Sequence, residues 1–224
     1  MQERTGGTKM KRQQSMERLL IGDYKIDIVD NPVKTLTKKE LNNLVQTCIP
    51  VARRGFGNEG VTESDIYTHA AEVNTGIYIH DKKGNLIGFG GSSLEEVDGK
   101  SIVHLKGAAI LPEFQGKGLY SILTPLRAIR EAEKNGPEVY LGTRTQNPRV
   151  FEYMSKKLGF YPQVEKKPEK SLEQIANKYA NLVSEKHSDF KPKQGVGFDK
   201  ENFVVKRAYG IVDNNGQEKG FCMY

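Results

Sequence analysis

Apolar residues recur at two spacings along this chain, every second residue in some stretches and every third or fourth in others, and these spacings predict most of its elements. Tyr24, Ile26 and Ile28 alternate with Lys25 and Asp27, which predicts a half-buried strand over Tyr24–Val29. Thr37 followed by Glu40 forms a capping-box pattern ahead of Leu41, Leu44, Val45, Cys48 and Ile49, spaced for one face of a helix ending near Pro50. The Gly- and charge-rich stretch 53–60 predicts a loop, and Thr62, followed by Glu63 and Asp65, caps a helix reaching about Val73. Gly76–His80, Leu86–Gly90 and Ser101–Leu111 then predict three strands joined by turn-like segments at 81–85 and 95–100, an antiparallel meander.

Beyond Gly118 the spacing becomes helical, with Leu119, Ile122, Leu123, Leu126 and Ile129 on one face until Asn135-Gly136-Pro137, and Pro125 predicts a kink. Val139–Thr143 predicts a short buried strand, after which Asn147-Pro148 supplies a cap and first-turn proline for a helix through Leu158, closed by Gly159. A Lys-rich segment from about 166 to 200 interrupts this order with one helix over 172–184, and a strand pattern resumes at Phe203–Tyr209. The expected organisation is a basic N-terminal tail over 1–20, then one mixed α/β domain over 21–224 with the Lys-rich segment as an insertion.

Composition narrows the function classes. The 224 residues are 37% hydrophobic and contain no apolar run of membrane-spanning length, so no membrane partner is expected. The first residues lack the apolar centre of a secretory signal, which gives a cytoplasmic location as the expectation. Two cysteines, Cys48 and Cys222, suit neither a disulfide framework nor a zinc cluster, and no metal is expected. A net charge of +6 favours an anionic partner, which leaves nucleic acid, a membrane surface and a phosphorylated ligand. The charge is spread along the chain without an aromatic ladder, which argues against nucleic acid.

The chemistry is concentrated between His104 and Tyr120, where a strand meets a helix through Gln115-Gly116-Lys117-Gly118. The first N–H groups of a helix lack internal partners and sit at its positive end, so they bind phosphate, and glycines let a diphosphate approach the backbone closely. The plainer alternative is a tight strand-to-helix connection that binds nothing. There is no Gly-x-x-x-x-Gly-Lys-Ser/Thr loop, and the second glycine cluster, Gly88 to Gly91, precedes no helix, so neither a Walker loop nor a dinucleotide fold is indicated.

Gln115-Gly116-Lys117-Gly118-Leu119-Tyr120 resembles the acyl-CoA motif of the GNAT superfamily of N-acetyltransferases: Gln or Arg, two residues, Gly, one residue, then Gly or Ala. Ile110-Leu111-Pro112 resembles that family's strand end, and Asn147 through Leu158-Gly159-Phe160 its second motif. Two departures stand out: Tyr120 replaces a small residue, and the second-motif helix is one residue longer than usual.

The resemblance implies a central, mostly antiparallel sheet splayed between its fourth and fifth strands and flanked by helices. It implies acyl-CoA-dependent N-acylation, with acetyl-CoA as acyl donor and direct attack by a primary amine of a small molecule or peptide, and it leaves room for a homodimer. Gln115, Gly116, Lys117, Gly118, Leu119 and Tyr120 would take the diphosphate, and backbone groups of Ile110 and Leu111 the pantetheine arm. Asn147 would hydrogen-bond the same arm, or only cap its helix. Counting from either end of the second motif points to Met154 or Ser155 where relatives carry an acid. The adjacent Tyr153 has the suitable phenol. His104 is the candidate base, or a packed strand histidine, and Glu113 is a weaker candidate. The alternatives are a non-catalytic acyl-CoA-binding regulatory module on the same fold and a nucleic-acid-binding protein.

Overall fold

A computed structural model describes residues 16–136, 138–145, 148–160, 169–186, 197–199, 204–206 and 221–223. Contacts divide the chain into two compact units, Met1–Phe89 with Ala109–Leu119, and Gly90–Ala108 with Tyr120–Tyr224.

In the first unit, β1 (Met16–Ile21), β2 (Tyr24–Asp30) and β3 (Thr75–His80) lie side by side and antiparallel, followed by the first residues of β4 (Leu86–Val97). Residues 16–20 therefore belong to a hairpin and not to the expected tail. The sequence signal is weak because β1 is an edge strand with most side chains in water, Leu20 being 79% exposed. Its hold on β2 includes Arg18 Nε at 2.7 Å from Asp27 Oδ1. Between β2 and β3 come α1 (Pro32–Thr35), α2 (Lys38–Phe56) and α3 (Glu63–Ile66), the last continuing as a π turn over Tyr67–Ala71. Both expected caps are present: Thr37 with Glu40 and Thr62 with Asp65 close reciprocal capping boxes. α2 runs past Pro50, where an end was expected. A proline deletes its own N–H bond, yet Val51 and Ala52 just beyond it are buried and carry the helix on to Gly57 at φ +63°.

In the second unit, the rest of β4 turns over Asp98-Gly99 into β5 (Lys100–Ile110), which neighbours β6 (Tyr140–Thr145). β7 (Gly197–Asp199), β8 (Val204–Lys206) and β9 (Phe221–Met223) follow β6 in the order β9-β8-β7, all antiparallel. Of the expected strand at 203–209, residues 204–206 are β8 and the others lie outside the described residues. β5 and β6 are the parallel exception. Their register runs from Ile102↔Tyr140 to Leu105↔Thr143 and stops there, although β5 continues to Ile110. The protein is thus mixed α/β, mostly antiparallel and flanked by helices, with the expected opening between the strands read as fourth and fifth.

The helices of this unit are α4 (Leu119–Asn135), α5 (Pro148–Lys157) and α6 (Lys170–Lys186). α4 buries Leu119 and Leu123 of its expected face but rotates away from Ile129. Ile129 is 53% exposed, while Leu123, Thr124, Arg127 and Glu131 are buried, spaced by three or four residues. α6 lies in the expected insertion, of which 166–168, 187–196 and 200 fall outside the described residues, yet it contributes Tyr179, Ala180 and Val183 to a buried cluster with Val97 and Ile102. Its four-residue apolar spacing is diluted by lysines and acids. Among the described residues no helix is long and apolar enough to cross a membrane, and no cluster of metal-ligating side chains occurs.

Gly142 of β6 lies under the Tyr179 ring, whose atoms would stand 2.3 to 2.6 Å from an added Cβ. Gly142→Ala therefore forces Tyr179 out of place and is expected to lower unfolding free energy by about 1–3 kcal/mol, read as a shifted urea midpoint. An unchanged midpoint contradicts this packing.

Candidate functional site

The strand-to-helix turn is built entirely from its sequence. β5 ends at Ile110, Pro112–Phe114 make one 3-10 turn, and α4 starts at Leu119. Gly116 and Gly118 hold φ values of +74° and +78°, a region in which an L side chain is strained. An added Cβ at either would meet nothing within 4 Å, so the glycines serve the backbone path and leave the space above them open. Among the described residues, the N–H groups of Gly116, Lys117 and Gly118 have no hydrogen-bond partner. The turn is therefore an exposed set of unpaired donors leading into a helix N-terminus, which is what an anion requires.

Charge around the turn is arranged to keep it positive. Arg54 Nη2 reaches both Glu113 carboxylate oxygens at 3.0 and 3.1 Å, offsetting the one acid in the turn. Hydrogen bonding from its own backbone, with Arg54 adding to it, holds the Glu113 carboxyl below the usual carboxylate range, so it stays ionised and paired. The Lys117 ammonium rests 4.7 Å from the centre of the Phe114 ring. Gln115 Nε2 donates to the Ile110 carbonyl at 2.9 Å, which gives the first residue of the motif a structural task. Leu111, read from sequence as a backbone partner for a pantetheine arm, has both groups committed: its N–H donates to Ile87 O and its C=O accepts from Phe114 N–H, each at 2.9 Å.

The remaining candidates lie in the second unit. Tyr120 and Tyr153 come together edge to face, ring centroids 5.9 Å apart at 81°, in an apolar cluster around Val103, Leu105 and Met154. Tyr120 is thus half-buried and turned into this cluster, which explains how the motif tolerates it where relatives have a small residue. Tyr153 is also half-buried, whereas Met154 is wholly buried and Ser155 nearly so, so of the three residues indicated by counting only Tyr153 combines a phenol with some access. Asn147 lies outside the described residues. His104 is 1% exposed, with Nδ1 held by the Tyr179 hydroxyl of α6. A ring without solvent access has no route to an incoming amine, so the structure makes His104 a core residue. Burial also raises the Tyr179 phenol well above its ordinary range, which keeps it a neutral partner. Of the acids at the start of α3, Asp65 closes a capping box and Glu63 accepts from Gln46 Nε2 at 2.8 Å.

Two residues escaped sequence reasoning. Thr143 Oγ1 donates to Leu105 O at 3.2 Å at the last paired position of β5 and β6. Arg127, 1% exposed, donates through Nη1 to Gly91 O at 3.0 Å and to Lys106 O at 2.9 Å, and through Nη2 to Thr124 Oγ1 at 3.3 Å. Burial pulls its guanidinium down to about 10, with Tyr120 acting in the opposite sense, so Arg127 is still a cation at neutral pH. The available signal was its position four residues after Leu123 and eight after Leu119, on the buried face.

His104→Phe preserves ring bulk and leaves the Tyr179 hydroxyl unsatisfied in the core, so it is expected to destabilise by about 1–3 kcal/mol in a denaturant titration. A neutral outcome shows that the two side chains are not bonded.

A search of curated protein sequences finds no match. Among solved structures, the chain is similar to a Trypanosoma brucei acetyltransferase, at 12% identity over 66% of this chain and 99% of that one, TM-score 0.43. It is also similar to an aminoglycoside N-acetyltransferase, AAC(6')-Iy, solved with CoA, at 17% identity over 68% and 98%, TM-score 0.42. A third is an aminoglycoside acetyltransferase from an uncultured soil metagenomic sample, solved with sisomicin, at 14% identity over 66% and 93%, TM-score 0.44. A family model for the acetyltransferase (GNAT) family matches residues 41–160, more than half of the 224 residues and inclusive of the whole Gly116–Gly118 turn. The chain therefore belongs to the GNAT family of acetyltransferases.

Proposed function

We propose that the protein is an N-acetyltransferase that uses acetyl-CoA to acylate a primary amine of a small molecule or peptide. The single observation carrying this reading is the turn before α4: three consecutive unpaired N–H groups, two glycines in the left-handed region, open space above them and a neutralised acid beside them. Within the family to which the chain belongs, that constellation suits the diphosphate of CoA, with Gln115 bracing the strand end and Lys117 adding a mobile charge. On this reading the chain from the start of β1 at Met16 to 224 is one acyltransferase domain, working in the cytoplasm without a metal.

The chemistry asked of the protein is mainly placement. The neutral amine attacks the thioester carbonyl carbon, a C–N bond forms, and the C–S bond breaks as the tetrahedral oxyanion collapses. The proton surplus on nitrogen passes to water, and the departing thiolate takes one from the Tyr153 hydroxyl, which solvent then restores. A buried His104 has no part in this proton traffic. Tyr153 fits the acid role because it is half-buried and set against Tyr120 in the first turn of α4.

Gly118→Asp introduces both a strained side chain and a negative charge, and is expected to weaken acetyl-CoA binding about a hundredfold or more by calorimetry. Full retained affinity removes the turn from the donor site. Tyr153→Phe is expected to lower turnover roughly a hundredfold, followed as free thiol release against a panel of amines, with acetyl-CoA affinity nearly unchanged. Equal turnover in the two proteins assigns the proton to another source.

A further inference from the structure

Among the described residues Arg127 is the largest fully buried side chain. A guanidinium in the interior loses much of its hydration, and such groups are ordinarily matched by a carboxylate. Here the hydrogen bonds go to neutral oxygens, the carbonyls of Gly91 in β4 and Lys106 in β5 and the hydroxyl of Thr124, while Nε has no partner among the described residues. A cation retained at that cost is holding something in place. The position of its anchors says what. Lys106 is the first residue of β5 beyond the last paired position with β6, Leu105↔Thr143. The carbonyls of Leu105 and Lys106 are both served by side-chain donors, Thr143 and Arg127. Within α4 its Nη2 also donates to the Thr124 hydroxyl at 3.3 Å.

We propose that Arg127 is a positioning residue whose buried guanidinium ties the opening turns of α4 to β4 and β5 at the point where β5 leaves β6, fixing the helix N-terminus for the diphosphate of the donor. This deepens the acetyl-CoA reading and rests on it. Arg127 touches no reacting atom. Its contribution is to hold the N–H groups at the helix start in one orientation, so it acts on the part of the donor that those groups grip. Lysine cannot replace it, because one ammonium does not span two carbonyls and a hydroxyl in the geometry of a planar fork.

A donor that lacks the diphosphate separates this role from a general loosening of the fold. Acetyl-CoA and acetyl-pantetheine carry the same thioester, and only the first has the group that the α4 N-terminus would hold. Arg127→Lys is expected to raise the KM for acetyl-CoA roughly tenfold or more and to leave kcat/KM for acetyl-pantetheine within about twofold of the unaltered protein. Thr124→Val keeps the side-chain shape and removes one tie to the guanidinium. It is expected to show the same donor selectivity with a smaller rise, about threefold, and it decides the matter should Arg127→Lys not fold by circular dichroism. Equal losses with both donors, or no loss with either, overturn the role for Arg127 while the acetyl-CoA reading stands. An unaltered protein that neither binds acetyl-CoA nor releases thiol from it overturns both.

Discussion

The structure depends on a ladder that is broken on purpose. Four residue pairs join β5 and β6 in parallel, and after Leu105↔Thr143 the pairing ends while β5 runs on. Backbone groups released from a sheet must find other partners, because an unpaired buried N–H or C=O costs about 1–3 kcal/mol. The molecule meets that requirement with side chains: the Thr143 hydroxyl at Leu105 and the Arg127 guanidinium at Lys106. Further along the strand, Gln115 covers the Ile110 carbonyl and the N–H of Leu111 goes to Ile87. Among the described residues, the N–H groups of the turn at Gly116 to Gly118 are unpaired and in water, where an anionic ligand can use them.

The same economy accounts for the two residues that looked out of place. Tyr120 sits where the motif calls for a small side chain, yet its ring packs in the apolar cluster with Tyr153. His104 sits on the strand leading into the turn, and its burial against Tyr179 makes it a link between β5 and α6. Both cases show a residue type with catalytic potential being assigned its role by burial and partner. Acid–base work needs access as well as a suitable pKa.

The parts legible in sequence were those with strong local rules. Capping boxes at Thr37 and Thr62, the alternation in β2, the glycines of the turn and the Gly159 helix stop obey short-range chemistry and are found where expected. Illegible were features fixed by distant neighbours. β1 has too little burial to show a period, and α6, a helix where one was expected at 172–184, gives no sign among its lysines of the core cluster it joins. α4 misleads because its buried face carries Thr124, Arg127 and Glu131, while Ile129 faces water. A hydrophobic pattern cannot report a core position held by a cation, since what stabilises Arg127 is a pair of carbonyls on two other strands. The proposed donor turn was legible because it is one contiguous motif, whereas a site for an acceptor carries no such local code.

Family membership follows from residues 41–160, and the turn within that span is the most specific chemical feature of the chain. On the function proposed above, the N–H groups before α4 hold acetyl-CoA. The most direct measurement is the melting temperature of the protein with and without saturating acetyl-CoA. At a hundredfold excess over Kd, binding to the folded state alone adds about 2.7 kcal/mol of stability, which for a chain of this size raises the midpoint by several degrees. A rise that free acetate and inorganic phosphate do not reproduce is the predicted result. A folded protein whose melting temperature does not move at any acetyl-CoA concentration contradicts the account.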